Sequence, residues 1–380
     1  MDTSASSAEP SCTKRRRCTE QRAVEADVDD AAGSSSSTAA APCSESAVET
    51  SSSLSIALSD SMYFEAYADL SIHALMLADR IRVGTYAAAL RACRSIYPEG
   101  CVVLDVGAGS GVLSMLAAKL AGASRVYAVE AAPGMARFAR ALVEENGLGK
   151  VVRVLEGRAE EVELPEKVDV VVSEWMGFYL LHESMLESVL VARQRWMKPG
   201  GLMLPGSARI WAAPVDAEEL RSEVEGYADV HGLNLSLFGK AVLEKRCGEP
   251  QVEKLEPDRL LASPVLAIDL GDLHTLAPGS TATLQADVSF EATRAGHAAG
   301  VVFWFDVGFR QHGHDAAEKG SRKELLLSTA PGAPPTHWQQ TVVYLGAFVA
   351  VEPGDELPLR LLLRQSEDNP RHYDITVETG

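Results

Sequence analysis

From about residue 60 to 205 the chain alternates short β-branched apolar runs with stretches of helical period. That pattern predicts a parallel sheet with helices on both faces. Strands are expected at Val102–Val106, Arg125–Glu130, Val151–Leu155, Val168–Ser173 and Leu202–Leu204. Between them Val112–Leu120 and Met135–Glu145 place apolar side chains at helical spacing, and Pro133 stands where a first-turn proline is tolerated. A helical lead-in over roughly 60–92 precedes the first strand.

After Pro205 the pattern changes to short alternating strands separated by Gly and Pro turns, including Val265–Leu270, Val301–Phe309, Glu324–Leu327, Val342–Tyr344 and Leu359–Leu363. This half is expected to be a β domain. A stretch at about 216–245 breaks the pattern, because Glu218, Leu220, Val224, Tyr227 and Leu235 read as a helical insertion. Residues 1–58 are rich in Ser, Ala and acidic residues, too poor in apolar surface to offset the entropy of ordering, and are read as a disordered tail. Within the tail, Lys14-Arg15-Arg16-Arg17 has the form of a nuclear import signal, although a solvated charge cluster has the same composition. The expected domains are therefore 1–58, 59–205 and 206–380.

Charge narrows the classes of partner. The 35 Lys and Arg against 53 Asp and Glu give a net charge of −18, which disfavours duplex nucleic acid and allows polycationic partners. The six cysteines form neither a CxxC pair nor a metal-spaced cluster, so no metal site and no disulfide framework are indicated, and a reducing compartment fits. No run approaches the roughly 20 apolar residues that cross a bilayer, nor does the N-terminus have a signal-peptide core.

The first candidate chemistry is the loop after the first strand. In Val103-Leu104-Asp105-Val106-Gly107-Ala108-Gly109-Ser110-Gly111 a buried strand turns into a helix through glycines that let a ligand approach the backbone. A nucleoside-containing cofactor is expected there, although a tightly packed turn alone would use the same glycines. The spacing is G-x-G-x-G, and Val112 stands where a dinucleotide fingerprint would need its third glycine. Glu130 ends the second strand, where a carboxylate can accept from both ribose hydroxyls.

The second candidate is the segment Ser173-Glu174-Trp175-Met176-Gly177-Phe178-Tyr179-Leu180-Leu181-His182-Glu183-Ser184-Met185. Carboxyl ends of parallel strands face the ligand crevice, so Glu174 should emerge beside the cofactor with Glu183 across the loop. Two like charges held close raise one pKa unless they hold a cation, and a guanidinium is the side chain best able to use two carboxylates at once.

At this point the residues resemble a known family, the type I protein arginine methyltransferases. The matching pieces are Tyr63-Phe64-x-x-Tyr67, Val103–Gly111, Glu130, the Glu174–Glu183 loop and Thr336-His337-Trp338, in the family's order over about 63 to 340. The wording of the acidic loop, with Pro205 and Asp368-Asn369-Pro370-Arg371, is most similar to the nuclear branch that methylates histone H3. The resemblance implies an α/β plus β fold: a Rossmann-like S-adenosylmethionine-dependent methyltransferase domain, then a β-barrel carrying a helical dimerisation arm. The insertion at 216–245 would be that arm, making a homodimer; capping its own barrel is the plainer alternative.

The same resemblance implies roles. Arg82 and His73 would meet the methionine carboxylate of S-adenosylmethionine, with Gly107, Gly109 and Asp105 of the glycine loop, Glu130 on the ribose and Glu160 near the adenine. Phe64 and Met76 would wall the sulfonium. Glu174 and Glu183 would clamp the substrate guanidinium, while Asp79 and His337 would pair beside the site and help carry away a proton. Tyr63, Tyr67, Met185 and Trp338 would shape the arginine channel, and methionines at 76 and 185 accompany asymmetric dimethylation. Plainer readings stand beside these: core packing for Tyr63, Phe64 and Tyr67, a satisfied helix histidine for His73, an ion pair with Asp79 for Arg82. One departure is Gln339, where the family often has Lys; it bears on sequence preference. Expected partners are Arg-containing proteins such as histone tails, in the nucleus, with neither nucleic acid nor membrane bound. The rival functions are an NAD-dependent oxidoreductase, opposed by Val112, a small-molecule methyltransferase, and an inert scaffold.

Overall fold

The computed structural model describes residues 60, 63–65, 67, 69–309 and 324–379, so the N-terminal tail and its basic cluster lie outside the described residues. The helical lead-in is two helices, α1 (Leu70–Ala78) and α2 (Arg80–Ile96), that meet at Asp79. Asp79 ends the first helix and caps the second, its Oδ1 accepting the Arg82 backbone N–H at 2.9 Å. A side-chain acceptor at that place satisfies a donor the helix leaves unpaired.

The first sheet is built of β1 (Val102–Val106), β2 (Arg125–Glu130), β3 (Val152–Glu156), β4 (Val168–Val172) and β5 (Met197–Leu204). All its pairings are parallel and the order is β3-β2-β1-β4-β5, which puts β1 at the centre. Every residue of β1 is buried, as a strand covered on both faces requires. Sheet helices are α3 (Val112–Leu116), α4 (Pro133–Glu145) and α5 (Met185–Trp196). Three differences from the sequence pattern are informative. The helix expected to reach Leu120 stops at Leu116 and continues as a single wide turn, Ala117–Ala121. Strand β5 begins five residues earlier than its apolar end suggests, through Pro199, Gly200 and Gly201. Helix α5 escaped the pattern altogether because the loop before it is equally apolar.

The C-terminal half is antiparallel. Strands β6 (Ser207–Asp216), β7 (Gln251–Glu253), β8 (Val265–Asp272), β9 (Thr283–Glu291), β10 (Gly296–Phe309), β11 (Leu325–Ser328), β12 (Gln340–Val351), β13 (Glu356–Gln365) and β14 (Tyr373–Thr379) make two sheets. One has the order β7-β12-β10-β6-β8 with β11 beside β10; the other is β14-β13-β9. Long β10 is the spine, and its apolar run from Val301 to Phe305 is buried. The insertion forms two packed helices, α6 (Glu218–Gly226) and α7 (Ser236–Gly248), so it extends past the expected 245. Strands β6, β7, β9 and β14 had no counterpart in the sequence pattern.

The halves are tied by specific contacts. Arg193 of α5 donates to the Leu273 carbonyl at 2.6 Å, and the Glu187 carboxylate accepts from Gly279 N–H and from Thr281 Oγ1, both at 2.6 Å. Tyr86 of α2 packs edge-on against Phe309 of β10, 5.0 Å between ring centres. These contacts hold the second domain's loops against the carboxyl ends of the parallel strands.

Candidate active site

A cleft enclosing about 1080 Å³ of space, open solvent at its mouth included, lies over the carboxyl end of the parallel sheet. Its floor is the glycine loop. Gly107, Gly109 and Gly111 have φ of 70°, 52° and 76°, the left-handed region where glycine bears no Cβ penalty. The space above them is closed as well: a Cβ at Gly107 would lie 2.1 Å from Met185 Cε, and one at Gly109 would lie 3.0 Å from His73 Cε1. The left-handed backbone reserves these positions for glycine, and the tips of Met185 and His73 lie directly over two of them. Glu130 sits at its edge, Oε2 accepting Gly109 N–H at 2.7 Å and Oε1 accepting Ala132 N–H at 2.8 Å. These bonds fix the carboxylate, and the spare lone pairs of each oxygen remain suited to hydroxyls.

Both acidic residues of the Ser173–Met185 segment line this cavity. Glu174 is held by Arg82, whose Nε and Nη2 reach one carboxylate oxygen at 2.9 and 2.7 Å while Nη1 donates to the Met76 carbonyl at 3.1 Å. Burial would lower the Arg82 pKa, yet Glu174 outweighs it and holds the guanidinium above its ordinary value. Glu183 is different. Burial pushes its carboxyl from 4.5 up to about 7, with the Glu174 charge adding to the rise, while the Tyr67 and Tyr63 hydroxyls and Arg371 oppose it. Both hydroxyls donate to Glu183 Oε2, at 2.7 Å from Tyr67 and 3.1 Å from Tyr63.

The segment that presents them is strained. Tyr179, Leu180, Glu183 and Ser184 all have positive φ without being glycine, at 45°, 77°, 79° and 52°. Such conformations cost about 1–3 kcal/mol each and persist where surrounding contacts over-determine them. Here Gly177 and Leu180 exchange backbone hydrogen bonds, and Glu183 N–H donates to the Arg371 carbonyl at 2.7 Å.

Of the residues singled out from sequence, the cavity collects the aromatic trio Tyr63, Phe64 and Tyr67, then His73, Met76 and Arg82, then Gly107, Gly109 and Glu130, and finally Glu160, Glu174, Glu183 and Met185. Four do not line it. Asp105 is fully buried beneath the loop, donated to by Ser114 Oγ at 2.7 Å, so its position supports the strand rather than a ligand. Trp338 is buried with its indole donating to the Met176 carbonyl at 2.7 Å, which makes it a brace behind the Glu174 segment instead of a channel wall. Asp79 and His337 do pair, Oδ2 to Nδ1 at 2.8 Å, but behind the wall. Their geometry anchors the start of α2, and with it Arg82. The ion pair of Arg82 with Asp79 is not formed; Asp79 meets only the Arg82 backbone. His73 lies at the cavity edge, its Nε2–H donating to the Tyr67 carbonyl at 2.9 Å, the contact of a satisfied histidine. Sequence reasoning gave no role to Arg158 or Arg371, which also reach the cavity. Their signal was faint: both lie in turns, and only the three-dimensional fold brings them to Asp60.

Residues 206–379 match the arginine methyltransferase oligomerization subdomain, and residues 103–201 match a methyltransferase domain. A probable protein arginine N-methyltransferase 6 from Arabidopsis thaliana is 38% identical over 347 residues, spanning 84% of this chain and 78% of that protein. This chain belongs to the protein arginine methyltransferase family. Protein arginine N-methyltransferase 6 from Xenopus tropicalis is 36% identical over 324 residues, covering 84% of this chain and 91% of that one. Among solved structures, the Trypanosoma brucei PRMT1 enzyme–prozyme heterotetramer with AdoHcy superposes with a TM-score of 0.72 at 31% identity, over 83% of this chain and 94% of that one. Arginine methyltransferase membership removes the dinucleotide oxidoreductase from consideration and accounts for the pairing of a methyltransferase sheet with an antiparallel second domain.

Proposed function

We propose that this protein transfers methyl groups from S-adenosylmethionine to the terminal guanidino nitrogens of protein arginines, giving monomethylarginine and then asymmetric dimethylarginine. The observation that carries the reading is the convergence of two carboxylates, Glu174 and Glu183, on the cavity floored by the glycine cradle and Glu130. The residues fit the cofactor: bare backbone at Gly107 and Gly109 and a fixed carboxylate at Glu130, with Glu160 and cationic Arg82 on the same lining. When bound, that cofactor supplies an electrophilic methyl group on a positively charged sulfur.

This chain's side chains do the rest. Glu174 and Glu183 hold the guanidinium so that one terminal nitrogen faces the cofactor end of the cavity, and positioning of this kind is the first contribution to rate. At an effective dielectric of 20 a carboxylate–guanidinium contact at ~4 Å is worth roughly 4 kcal/mol before desolvation. A free guanidinium holds its proton too tightly for prior deprotonation, so the carboxylates polarise it and the attacking nitrogen sheds its proton as the bond forms. Glu183 is the group matched to receive that proton, since its carboxyl is pushed up to about 7. Asp79 and His337 act by position, holding the helix that carries Arg82.

Asymmetric product is supported by Met76 and Met185 on the cavity wall. Histone tails, H3 among them, are the proposed substrates, steered by the net charge of −18. The nucleus is the proposed site of action, on the strength of Lys14–Arg17. A homodimer is the proposed assembly, through α6, α7 and the connection between them, where exposed Leu233, Leu237 and Phe238 offer apolar surface to a second copy. Incubation with labelled S-adenosylmethionine and a histone mixture, followed by mass spectrometry, tests the activity, its product and the histone substrate. Asymmetric dimethylarginine is the expected product; symmetric product would refute the methionine argument, and absence of methylarginine would refute the activity.

A further inference from the structure

Arg371 stands in the turn between β13 and β14, within a tight set of bonds: Asn369 Oδ1 accepts its N–H at 3.0 Å, and Ser366 N–H donates to the His372 carbonyl at 2.9 Å. From this rigid turn the guanidinium reaches two separate parts of the site. It lies 3.8 Å from the Tyr63 ring centre and 5.3 Å from that of Phe64, and it ion-pairs with Asp60 at 2.6 Å. It also donates through Nη1 to the Glu183 carbonyl at 3.2 Å, while its own carbonyl accepts Glu183 N–H at 2.7 Å. Asp60 bonds Arg158 on the loop after β3 as well, and although burial alone would raise its carboxyl, the two arginines hold it below the usual range.

We infer that Arg371 is a positioning residue of the methyl-transfer site, a latch from the second domain that holds Asp60 and the aromatic side chains of Tyr63 and Phe64 at the cavity and fixes the Glu183 backbone at the same time. This deepens the proposed activity and rests on it. Two features give the latch its leverage. Glu183 sits at φ 79°, a conformation a glutamate does not hold unaided, and the two backbone contacts to Arg371 bracket it. The hydroxyls that meet Glu183 come from Tyr63 and Tyr67, and a guanidinium over the Tyr63 face with a carboxylate at its other edge fixes the segment more firmly than either contact alone. The charged and titratable groups facing Glu183 are Tyr63, Tyr67, Glu174 and Arg371.

Three variants separate the latch from a general structural role: Arg371→Met, Arg371→Lys and Asp60→Asn. Loss of charge-assisted contacts of this kind is worth roughly tenfold or more. In Arg371→Met the expected result is a fall of at least about tenfold, carried mainly by kcat, for an arginine peptide. Its acid limb of kcat/KM moves to higher pH, because a positive charge that favours the Glu183 carboxylate has gone. Amide hydrogen exchange at residues 63–67, measured without cofactor or turnover, is expected to quicken in all three. Arg371→Lys restores the pH limb through its charge but not the slow exchange, since it lacks the flat fork that stacks and bridges. Asp60→Asn quickens exchange with the limb unmoved. The inference is overturned if the parent turns over while Arg371→Met keeps its kcat within twofold and its limb in place, or if exchange at 63–67 is unchanged in all variants. A parent that transfers no methyl group counts against the activity instead, and the exchange result still decides the latch.

Discussion

Replacing Tyr67 by Phe removes one hydroxyl and nothing else from the Glu183 site. That hydroxyl donates to Oε2 at 2.7 Å, and its neighbour Tyr63 donates at 3.1 Å. Hydrogen bonds to a charged group are worth about 1.5–3 kcal/mol. If about half of that distinguishes carboxylate from carboxylic acid, its loss shifts the group by roughly one pH unit at 1.36 kcal/mol per unit. The sign follows from which form accepts: the hydroxyl favours the carboxylate, so removing it raises a carboxyl already near 7. The assay is the pH profile of kcat/KM for a short arginine peptide, whose acid limb reports the free enzyme. The parent limb is expected near neutrality, about one unit higher in Tyr67→Phe, and less displaced in Tyr63→Phe with its longer bond. A limb that stays in place or moves to lower pH in Tyr67→Phe would refute the assignment of Glu183 as the titrating group.

Other perturbations follow from the same geometry. Gly107→Ala forces a Cβ to 2.1 Å from Met185 Cε at a φ of 70°, so S-adenosylhomocysteine affinity measured by calorimetry should fall by at least roughly tenfold, with about 1–3 kcal/mol lost from stability. Arg82→Ala leaves Glu174 buried without its partner; denaturant unfolding should show a loss of about 3–5 kcal/mol, recovered in part when Glu174→Gln is added. Burial pushes the Asp105 carboxyl from 3.8 to about 7 despite the Ser114 bond, so the folded state is favoured below the lower value and loses that advantage as pH rises to the higher. Asp105→Asn should therefore be more stable than the parent at pH 8, with the difference vanishing toward pH 4 in thermal scans.

The parallel sheet was legible because its strands are continuous apolar runs, and Val102–Val106 is found at its expected bounds. Strands β9 and β13 are half-exposed, and Thr283–Glu291 mixes Gln, Asp, Ser and Glu among its apolar positions, so alternation identified one and missed the other. The short strands of the second half become visible as long ones only through pairing: β12 runs from Gln340 to Val351, although its sequence signal is confined to Val342–Tyr344. At the site, residues within one motif were legible, since the spacing of Glu174 and Glu183 or of the glycines is local. What the sequence could not carry is which charge meets which. Arg82 and Glu174 are 92 positions apart, and Arg371 and Asp60 are 311 apart; such pairs are products of topology.

The pairing of Arg82 with Glu174 changes how the site handles charge. Two bare carboxylates would demand a cation simply to exist, and a site built that way would be unstable without substrate. Here Glu174 brings its own counter-ion, with side-chain exposures of 6% for Arg82 and 9% for Glu174, while Glu183 takes the other route and moves toward its neutral acid. The resting site is thereby close to neutral without any ligand. An arriving guanidinium consequently exchanges partners with Arg82 at Glu174 and drives the proton off Glu183, so its binding should release protons below pH 7 and none well above it. That linkage makes the second carboxylate a charge acquired with the substrate, and it explains why this acidic pair can be buried in a folded protein that also has to wait for its guest.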